Sequence, residues 1–96
     1  MKPSVALNKH RDKIRDIALN HRVNNVRVFG SAARGDDTDD SDLDLLVDPT
    51  QETTLMDIGA IRLELRKLLG IPVDILTPRS LPLKFRQHVI DEATPL

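Results

Sequence analysis

The chain has 96 residues, a length that supports one small domain with a single core and excludes a second one. A net charge of −1 gives it no general attraction to nucleic acid or anionic membranes, and the absence of Cys excludes disulfides, thiolate nucleophiles and Cys-ligated metal sites. No apolar run approaches the roughly 18 residues of a membrane span, and the first residues lack the apolar stretch of a signal peptide, so we expect a cytoplasmic protein.

Hydrophobic periodicity predicts three helices and three strands in the order α-β-β-α-β-α. In chain order they are a helix over residues 4–21, a strand over Val26–Phe29, a strand over Leu43–Val47, a helix over residues 54–69, a strand over Val73–Thr77 and a helix over residues 81–92. Ser4 is the expected N-cap of the first helix, and Asn24-Asn25 is the expected turn after it. Residues 30–41 are expected to form a loop or a single helical turn.

The connections between the strands predict the topology. A helix joins the second and third strands, which predicts a parallel pair with a right-handed crossover. A loop of about eleven residues joins the first and second strands and permits antiparallel pairing. We therefore expect an α/β (α+β) fold with a small mixed sheet of three to four strands, flanked by helices on one side, in a single domain over residues 1–96.

Three Asp side chains are predicted to meet on one face of this sheet. Asp42 and Asp44 are two residues apart and project opposite to the apolar residues of the second strand, and Asp74 does the same in the third. If the helices cover the apolar face, the three carboxylates meet on the uncovered one. Each close pair there repels by about 3–4 kcal/mol at an effective dielectric constant of about 20. A divalent cation relieves this repulsion, and an all-oxygen ligand set suits Mg²⁺ or Mn²⁺.

Gly30-Ser31 follows the first strand and is a candidate phosphate-binding turn. Glycine allows a phosphate to approach the backbone, and Ser31 offers a hydroxyl and an N–H. If the first two strands are antiparallel, this turn lies beside Asp42 and Asp44. A phosphate site next to a carboxylate cluster is what in-line nucleotidyl transfer requires. A simple strand-ending turn is the alternative interpretation.

The remaining acidic residues have a simpler interpretation. Residues 36–44 contain six Asp, and we expect Asp36, Asp37, Asp39 and Asp40 to form a solvated loop. An EF-hand starting at Asp37 is excluded, because Asp42 and Asp48 stand where that loop requires Gly and Glu. An ion pair between Arg34 and an Asp of this loop remains an alternative to a role for Arg34 at a phosphate.

The motifs in these segments resemble those of a known enzyme family. Gly30–Asp36 (GSAARGD) followed by Asp42–Asp44 (DLD) resembles the Gly-Ser…Asp-x-Asp signature of the polymerase β nucleotidyltransferase superfamily. Ser41–Leu45 (SDLDL) is similar to the form found in its minimal nucleotidyltransferase branch, and Val73–Leu76 (VDIL) resembles the segment with the third carboxylate. The resemblance spans about residues 26–77.

The resemblance implies a role for each matching residue. Asp42 and Asp44 would hold two Mg²⁺ ions (Mn²⁺ as an alternative), and Asp74 would complete the acceptor-side ion site and help to deprotonate the acceptor. Ser31 would hold the terminal phosphates of ATP, the expected substrate, and Arg34 would neutralise triphosphate charge. The implied nucleotide-binding residues are Gly30, Ser31, Arg34 and Ser41.

The acceptor is the least determined part of this expectation. The chain contains no Trp or Tyr and only two Phe, so it lacks the aromatic side chains on which single-strand binders stack bases, and we expect no direct binding of nucleic acid. A chain this short resembles the antitoxin of a two-component pair whose partner is a helical HEPN-type ribonuclease toxin. We therefore expect adenylyl transfer to a partner protein and a complex with it. A non-catalytic module that inhibits by contact, and a stand-alone small-molecule nucleotidyltransferase, are the alternatives.

Overall fold

Residues 1–96 are all described by a computed structural model, which contains four α-helices, one 3-10 helix and four strands. In chain order these are α1 (Pro3–Leu19), β1 (Val23–Phe29), α2 (Ser31–Arg34), β2 (Leu43–Pro49), α3 (Leu55–Leu69), β3 (Val73–Leu76), the 3-10 helix (Pro78–Ser80), α4 (Leu83–Glu92) and β4 (Thr94–Pro95). None of the helices combines the length and apolar character that a membrane crossing requires.

The four strands form one mixed sheet in the order β3-β2-β1-β4. β1 pairs with β2 in antiparallel orientation, whereas β2 and β3 are parallel and are connected through α3. The predicted pairings and the predicted α/β (α+β) class with a small mixed sheet are confirmed. β2 is central to the arrangement, because it carries the hydrogen-bonded partners of both β1 and β3.

The helix that makes the parallel crossover has strong local signals at both ends. At its start, the Thr54 hydroxyl accepts a hydrogen bond from the Asp57 amide at 3.2 Å, and the Asp57 carboxylate accepts one from the Thr54 amide at 2.8 Å. This reciprocal capping box satisfies two backbone donors that a helix start otherwise leaves unpaired. At its end, Gly70 takes the left-handed conformation, with φ +68°, in which glycine is favoured as a helix terminator. Local sequence therefore determines both limits of α3.

The first strand differs from the prediction. Asn24 and Asn25 do not form a turn but belong to β1, where the pairing with β2 shifts register between Asn24 and Val26. Asn25 has a φ of +50°, a left-handed conformation that Asn tolerates better than most residues. The polar pair therefore marks a β-bulge within the strand. The sequence pattern also does not predict β4, whose two residues pair with Arg27 and Val28 at the outer edge of β1.

The main core lies between the sheet and the helices α1 and α3. Its thirteen buried residues are Leu7, Ile14, Ala18, Val23, Val26, Val28, Leu43, Leu45, Val47, Ile61, Leu65, Val73 and Ile75. The alternating pattern of β2 and β3 buries the apolar residues on this face, as predicted, and turns Asp44 and Asp74 to the other face.

A second, smaller core lies on the carboxylate side of the sheet. Phe29, Leu46 and Leu81 are buried there, with Val89 and Ile90 of α4 packed against them. The expectation that all helices cover one side is therefore wrong. Phe29 and Leu46 give the carboxylate side apolar residues of its own, and α4 buries them.

Asp37 is also not part of a solvated loop. Its carboxylate accepts a 2.7 Å hydrogen bond from the Ser4 amide, and only 5% of its surface is exposed. Ser4 is thus inside the first turn of α1 and not its N-cap, which is Lys2. The side chain of Lys2 makes no cap, so an acidic residue from a distant loop supplies the missing acceptor.

We expect Asp37→Ala to lower the free energy of unfolding by about 1–2 kcal/mol at pH 7, because it removes a helix cap. The backbone hydrogen bond from Ser4 lowers the pKa of Asp37 below its ordinary 3.8, so this contribution is present above that pH and is lost as the pH falls further. Urea unfolding at pH 7 and pH 3 measures the difference. Asp40→Ala, at an exposed position of the same loop, is the control and should change stability by less than about 0.5 kcal/mol. Equal stability of the two variants at pH 7 would contradict the capping role.

Candidate active site

The pairing of the central strand brings two of the three predicted carboxylates together. Asp44 of β2 is aligned with Asp74 of β3 on one side and with Phe29 of β1 on the other. Neighbouring strands are about 4.8 Å apart, and aligned residues project from the same face, so the two Asp side chains are neighbours. Asp42 lies just before β2 and is exposed at the rim of this face. All three carboxylates are close enough for Asp74 and Asp42 to raise the pKa of Asp44.

Gly30 is in direct contact with the carboxylate of Asp44. It follows the last residue of β1 and adopts φ +75° and ψ −155°, a backbone region essentially restricted to glycine. A methyl group at this position would lie 2.5 Å from Oδ2 of Asp44. The turn that begins α2 therefore lies closer to the carboxylate than a residue with a side chain would allow. This is the proximity expected from antiparallel pairing of β1 and β2.

Burial and repulsion make the carboxylate of Asp44 difficult to ionise. Desolvation is the largest cause, followed by the negative charges of Asp74 and Asp42, and together they raise the pKa of Asp44 to about 6. The positive charge of Arg34 acts in the opposite direction without cancelling these effects. The site thus holds more negative charge than the protein itself compensates, which is the condition that a cation or a cationic ligand relieves.

The donor set of this site fits a hard divalent cation that is completed by substrate. The protein offers only carboxylate oxygens here, which are the ligands that Mg²⁺ prefers. No three acidic or His side chains are arranged so that they could hold a metal ion by themselves. Mg²⁺ usually binds through one or two carboxylates together with water and substrate phosphates. Asp44, Asp74 and Asp42 therefore fit an ion that arrives with a nucleotide better than one held permanently.

Glu92 is a fourth carboxylate at this site, and sequence reasoning missed it. Its Oε2 accepts a hydrogen bond from the Gly30 amide at 3.1 Å, and its Oε1 accepts one from Nη1 of Arg34 at 2.8 Å. These partners are 62 and 58 residues away in the chain, so no local motif marks the residue. Only the packing of α4 against Phe29 and Leu46 brings it to the turn.

Arg34 and Ser41 have other partners in the protein. Arg34 pairs with Glu92 and also with Asp36, at 3.3 Å, so the predicted alternative of an ion pair within the acidic loop is present. Half of the Arg34 side chain is nevertheless exposed. The Ser41 hydroxyl accepts a hydrogen bond from the Thr38 amide at 2.9 Å and thus closes the acidic loop. The structure brings Gly30, Asp44 and Asp74 together but does not turn Ser41 toward them.

Arg66 is a further residue that the sequence did not single out. Its Nη2 lies 3.9 Å from Oδ1 of Asp74, and its Nε donates to the Val73 carbonyl at 3.2 Å. The arginine thus reaches from the last turn of α3 to the strand that it precedes. It places a positive charge beside Asp74, whereas Asp44 has no such direct partner.

Asp42 and Asp74 reach solvent while Asp44 is partly buried between them, and all three lie outside the cavity of the molecule. That cavity, of about 360 Å³, is at the opposite end of β1 and β2, where Arg15, Leu19, Arg27 and Asp48 contribute to its lining. No enclosed pocket therefore surrounds Asp42, Asp44 and Asp74. The site offers a surface on which a large molecule could present a reacting group.

Comparison with known proteins agrees with this geometry. Residues 12–96 match the protein family described as polymerase beta, nucleotidyltransferase. A proposed protein adenylyltransferase of Methanocaldococcus jannaschii is 34% identical over 87 residues, which cover 91% of this chain and 94% of that protein. The solved structure of a proposed minimal nucleotidyltransferase is 42% identical, with a TM-score of 0.87, and the match covers 100% of this chain and 97% of the other.

A more distant structural likeness concerns the fold alone. The crystal structure of a toxin–antitoxin with AMP-PNP has a TM-score of 0.74 at 21% identity, and the match covers 88% of this chain and 69% of the other. The likeness shows that the same arrangement of helices and sheet occurs in that protein.

We expect Gly30→Ala to destabilise the protein by about 2 kcal/mol, because the added methyl group meets Asp44 and the backbone conformation excludes a side chain. Two glycines provide matched controls in urea unfolding. Gly35→Ala has a positive φ but nothing within 4 Å, so it should cost about 1 kcal/mol. Gly59→Ala, in the open middle of α3, should be neutral or stabilise by up to about 1 kcal/mol. If Gly30→Ala lowered the free energy of unfolding by no more than Gly35→Ala does, the closeness of Gly30 to Asp44 would not contribute to the cost of the substitution.

We expect Asp44→Asn to raise the free energy of unfolding at pH 7 and to make it depend less on pH between about pH 4 and pH 6. The pKa of Asp44 is raised from 3.8 to about 6 in the folded protein, so the unfolded chain releases this proton first as the pH rises. Folding stability therefore falls across this interval, by about 2 kcal/mol after allowance for solvent screening. The measurement is the free energy of unfolding from pH 4 to 8, with the exposed Asp40→Asn as control. A pH dependence identical in Asp44→Asn and the parent protein would contradict the assignment.

Proposed function

The chain belongs to the polymerase β nucleotidyltransferase family, and from that membership we propose that it transfers AMP from ATP to a hydroxyl group on a partner protein. The observation that carries the proposal is the convergence of Asp44, Asp74 and the Gly30-Ser31 turn on one open face of the sheet. This convergence provides places for a cation-bound triphosphate and for an acceptor side by side.

In the proposed reaction the acceptor oxygen attacks the α-phosphorus of ATP. A bond forms between that oxygen and phosphorus, the bond from phosphorus to the α,β-bridging oxygen breaks, and pyrophosphate leaves with its electron pair. The acceptor proton passes to Asp74, the carboxylate on the side of the sheet away from the Gly30-Ser31 turn. The side chain and amide of Ser31 and the guanidinium of Arg34 hold the terminal phosphates, which fixes the α-phosphate in line with the acceptor.

Asp42, Asp44 and Asp74 are the residues that would hold Mg²⁺ in this reaction. The ion, when bound, supplies positive charge that offsets both the carboxylate repulsion and the triphosphate. This assignment is supported by the raised pKa of Asp44, since a carboxyl group that resists ionisation is stabilised as the anion by a nearby cation.

A protein acceptor suits the shape of the site better than a small molecule. The carboxylates lie on an open face with no surrounding cavity, so a small acceptor would have few contacts to orient it. A docked protein positions its hydroxyl through the contact surface instead. The name of the M. jannaschii relative, a proposed protein adenylyltransferase, supports the same class of acceptor.

The proposed partner is a helical HEPN-type toxin, which this chain would neutralise in the cytoplasm. The toxin–antitoxin structure with AMP-PNP supports a pairing of this fold with a toxin. Leu83 and Phe85, at the start of α4, are 80% and 53% exposed and offer an apolar contact surface. Attached AMP would add bulk and negative charge to the toxin, which would oppose the binding of RNA phosphates.

The decisive experiment is to incubate the purified protein with its cognate partner, ATP and Mg²⁺ and to measure both masses. We expect the partner to gain one or more AMP units, on a Tyr, Ser or Thr. Asp42→Asn and Asp44→Asn should reduce transfer by at least about 100-fold, because the charge at the reacting phosphate is then no longer stabilised. Asp40→Asn is the matched control, since it removes the same charge from the exposed loop and should leave transfer unchanged.

Three outcomes separate the alternatives. A mass gain that a chelator abolishes supports the metal-dependent transferase. Inhibition of the partner with no mass change, under conditions in which ATP binds, would contradict transfer and favour a module that acts by contact. If ATP were consumed with a small alcohol but not with the partner, the proposed protein acceptor would be wrong, and nucleotidyl transfer itself would stand.

A further inference from the structure

Glu92 binds Arg34, a proposed ligand of the terminal phosphates, and the amide of Gly30, which directly precedes the other proposed ligand, Ser31. Its two carboxylate oxygens bind the Gly30 amide and the guanidinium of Arg34, at 3.1 Å and 2.8 Å. The Glu92 side chain is 14% exposed, whereas that of Arg34 is half exposed, so the carboxylate is mostly covered and the guanidinium remains accessible from solvent. One backbone N–H and one Arg, both charge-assisted donors to an oxyanion, are the groups that bind phosphate in proteins.

The carboxylate of Glu92 is fully charged at neutral pH. The hydrogen bond from Arg34 is the main cause that lowers its pKa below the ordinary value, although partial burial acts against this. Its charge also contributes to the raised pKa of Asp44, which places Glu92 within electrostatic reach of the carboxylate cluster. The contact with Arg34 and Gly30 therefore holds an anion beside other anions.

We propose that Glu92 is an intramolecular latch on the nucleotide site, and that the triphosphate of ATP must displace it from Gly30 and Arg34 in order to bind. This inference rests on the proposed function and adds a regulatory contact to the same site. The Gly30 amide has a single N–H, so it cannot serve Glu92 and a phosphate at once. Arg34 keeps further N–H groups, but a triphosphate bound there would be repelled by the adjacent carboxylate of Glu92.

The position of Glu92 in the chain connects the latch to the end of α4. It is the last residue of α4, and the next amide, that of Ala93, closes the helix on the Val89 carbonyl at 2.9 Å. Val89 and Ile90 pack on the small core around Phe29 and Leu46. Release of Glu92 therefore removes the polar contacts that join the last turn of α4 to Gly30 and Arg34. ATP binding should loosen this last turn of α4.

The test measures binding of ATP with Mg²⁺, and of inorganic triphosphate with Mg²⁺, to Glu92→Gln and to the parent protein by calorimetry. We expect Glu92→Gln to bind both ligands about tenfold more tightly, because a neutral amide competes weakly for Arg34. Asp91→Asn is the matched control. It removes the same charge from the neighbouring residue, which is exposed and bonded only to Gln87 at 2.8 Å, and should change affinity less than about twofold.

Hydrogen exchange provides a second measurement that a purely structural ion pair would not affect. In the parent protein, ATP with Mg²⁺ should accelerate exchange of the amides at the end of α4, whereas ligands ordinarily slow exchange. In Glu92→Gln these amides should exchange quickly before ATP is added. If that variant folds poorly, Glu92→Asp serves instead, because it keeps the charge but shortens the reach to Gly30.

The outcomes distinguish the latch from the proposed function. Equal or weaker ATP binding by Glu92→Gln, with the parent protein binding normally, would overturn the latch and leave the transferase proposal intact. Slower exchange at the end of α4 on ATP addition would do the same. Binding of ATP by none of the variants would overturn both.

Discussion

The alignment of Phe29 with Asp44 is the contact on which the candidate site depends. Because β1 runs antiparallel to β2, the chain leaves β1 beside the first carboxylate of β2, and Gly30 turns against it without a side chain in the way. The parallel pairing of β3 then sets Asp74 on the other side of Asp44. A shift of one residue in either register would send these side chains to the buried face, so the hydrophobic pattern of the sheet also fixes the geometry of the site.

The two faces of the sheet serve different purposes. One face is entirely apolar and holds the main core under α1 and α3. The other face is polar at one end of the strands and apolar farther along. Asp44 and Asp74 are paired at the polar end, and the next pair on that face, Leu46 and Leu76, packs in the small core under α4. The repulsion among the carboxylates is therefore a cost that the remaining contacts of the fold must offset. Groups that lower stability in this way are typical of functional sites, where binding or catalysis requires them.

The features that could be predicted are those that short segments of sequence determine. Period-two and helical patterns predicted β2, β3 and α3, and the Gly-Ser and Asp-x-Asp motifs predicted that Gly30 and Asp44 lie together, because alternation and turn chemistry act between near neighbours. The roles of Asp37 and Glu92 do not depend on their neighbours in the sequence. Each binds a backbone amide 33 or 62 residues away, so its role depends on how distant elements pack. The bulge at Asn25 and the pairing of β4 were missed for a related reason, since the neighbouring strand determines both.

The bulge in β1 also bears on how the protein avoids self-association. β4 pairs with the outer edge of β1 at Arg27 and Val28, and the Leu96 amide donates to the Val26 carbonyl, so the uncovered part of that edge is residues 23–25. An uncovered edge is a template for another chain to add a strand, the first step toward fibrous aggregates. At Asn25 the left-handed backbone interrupts the regular row of amide and carbonyl groups, and two exposed Asn side chains replace apolar ones. A bulge with polar side chains makes this part of the edge a poor template for strand addition.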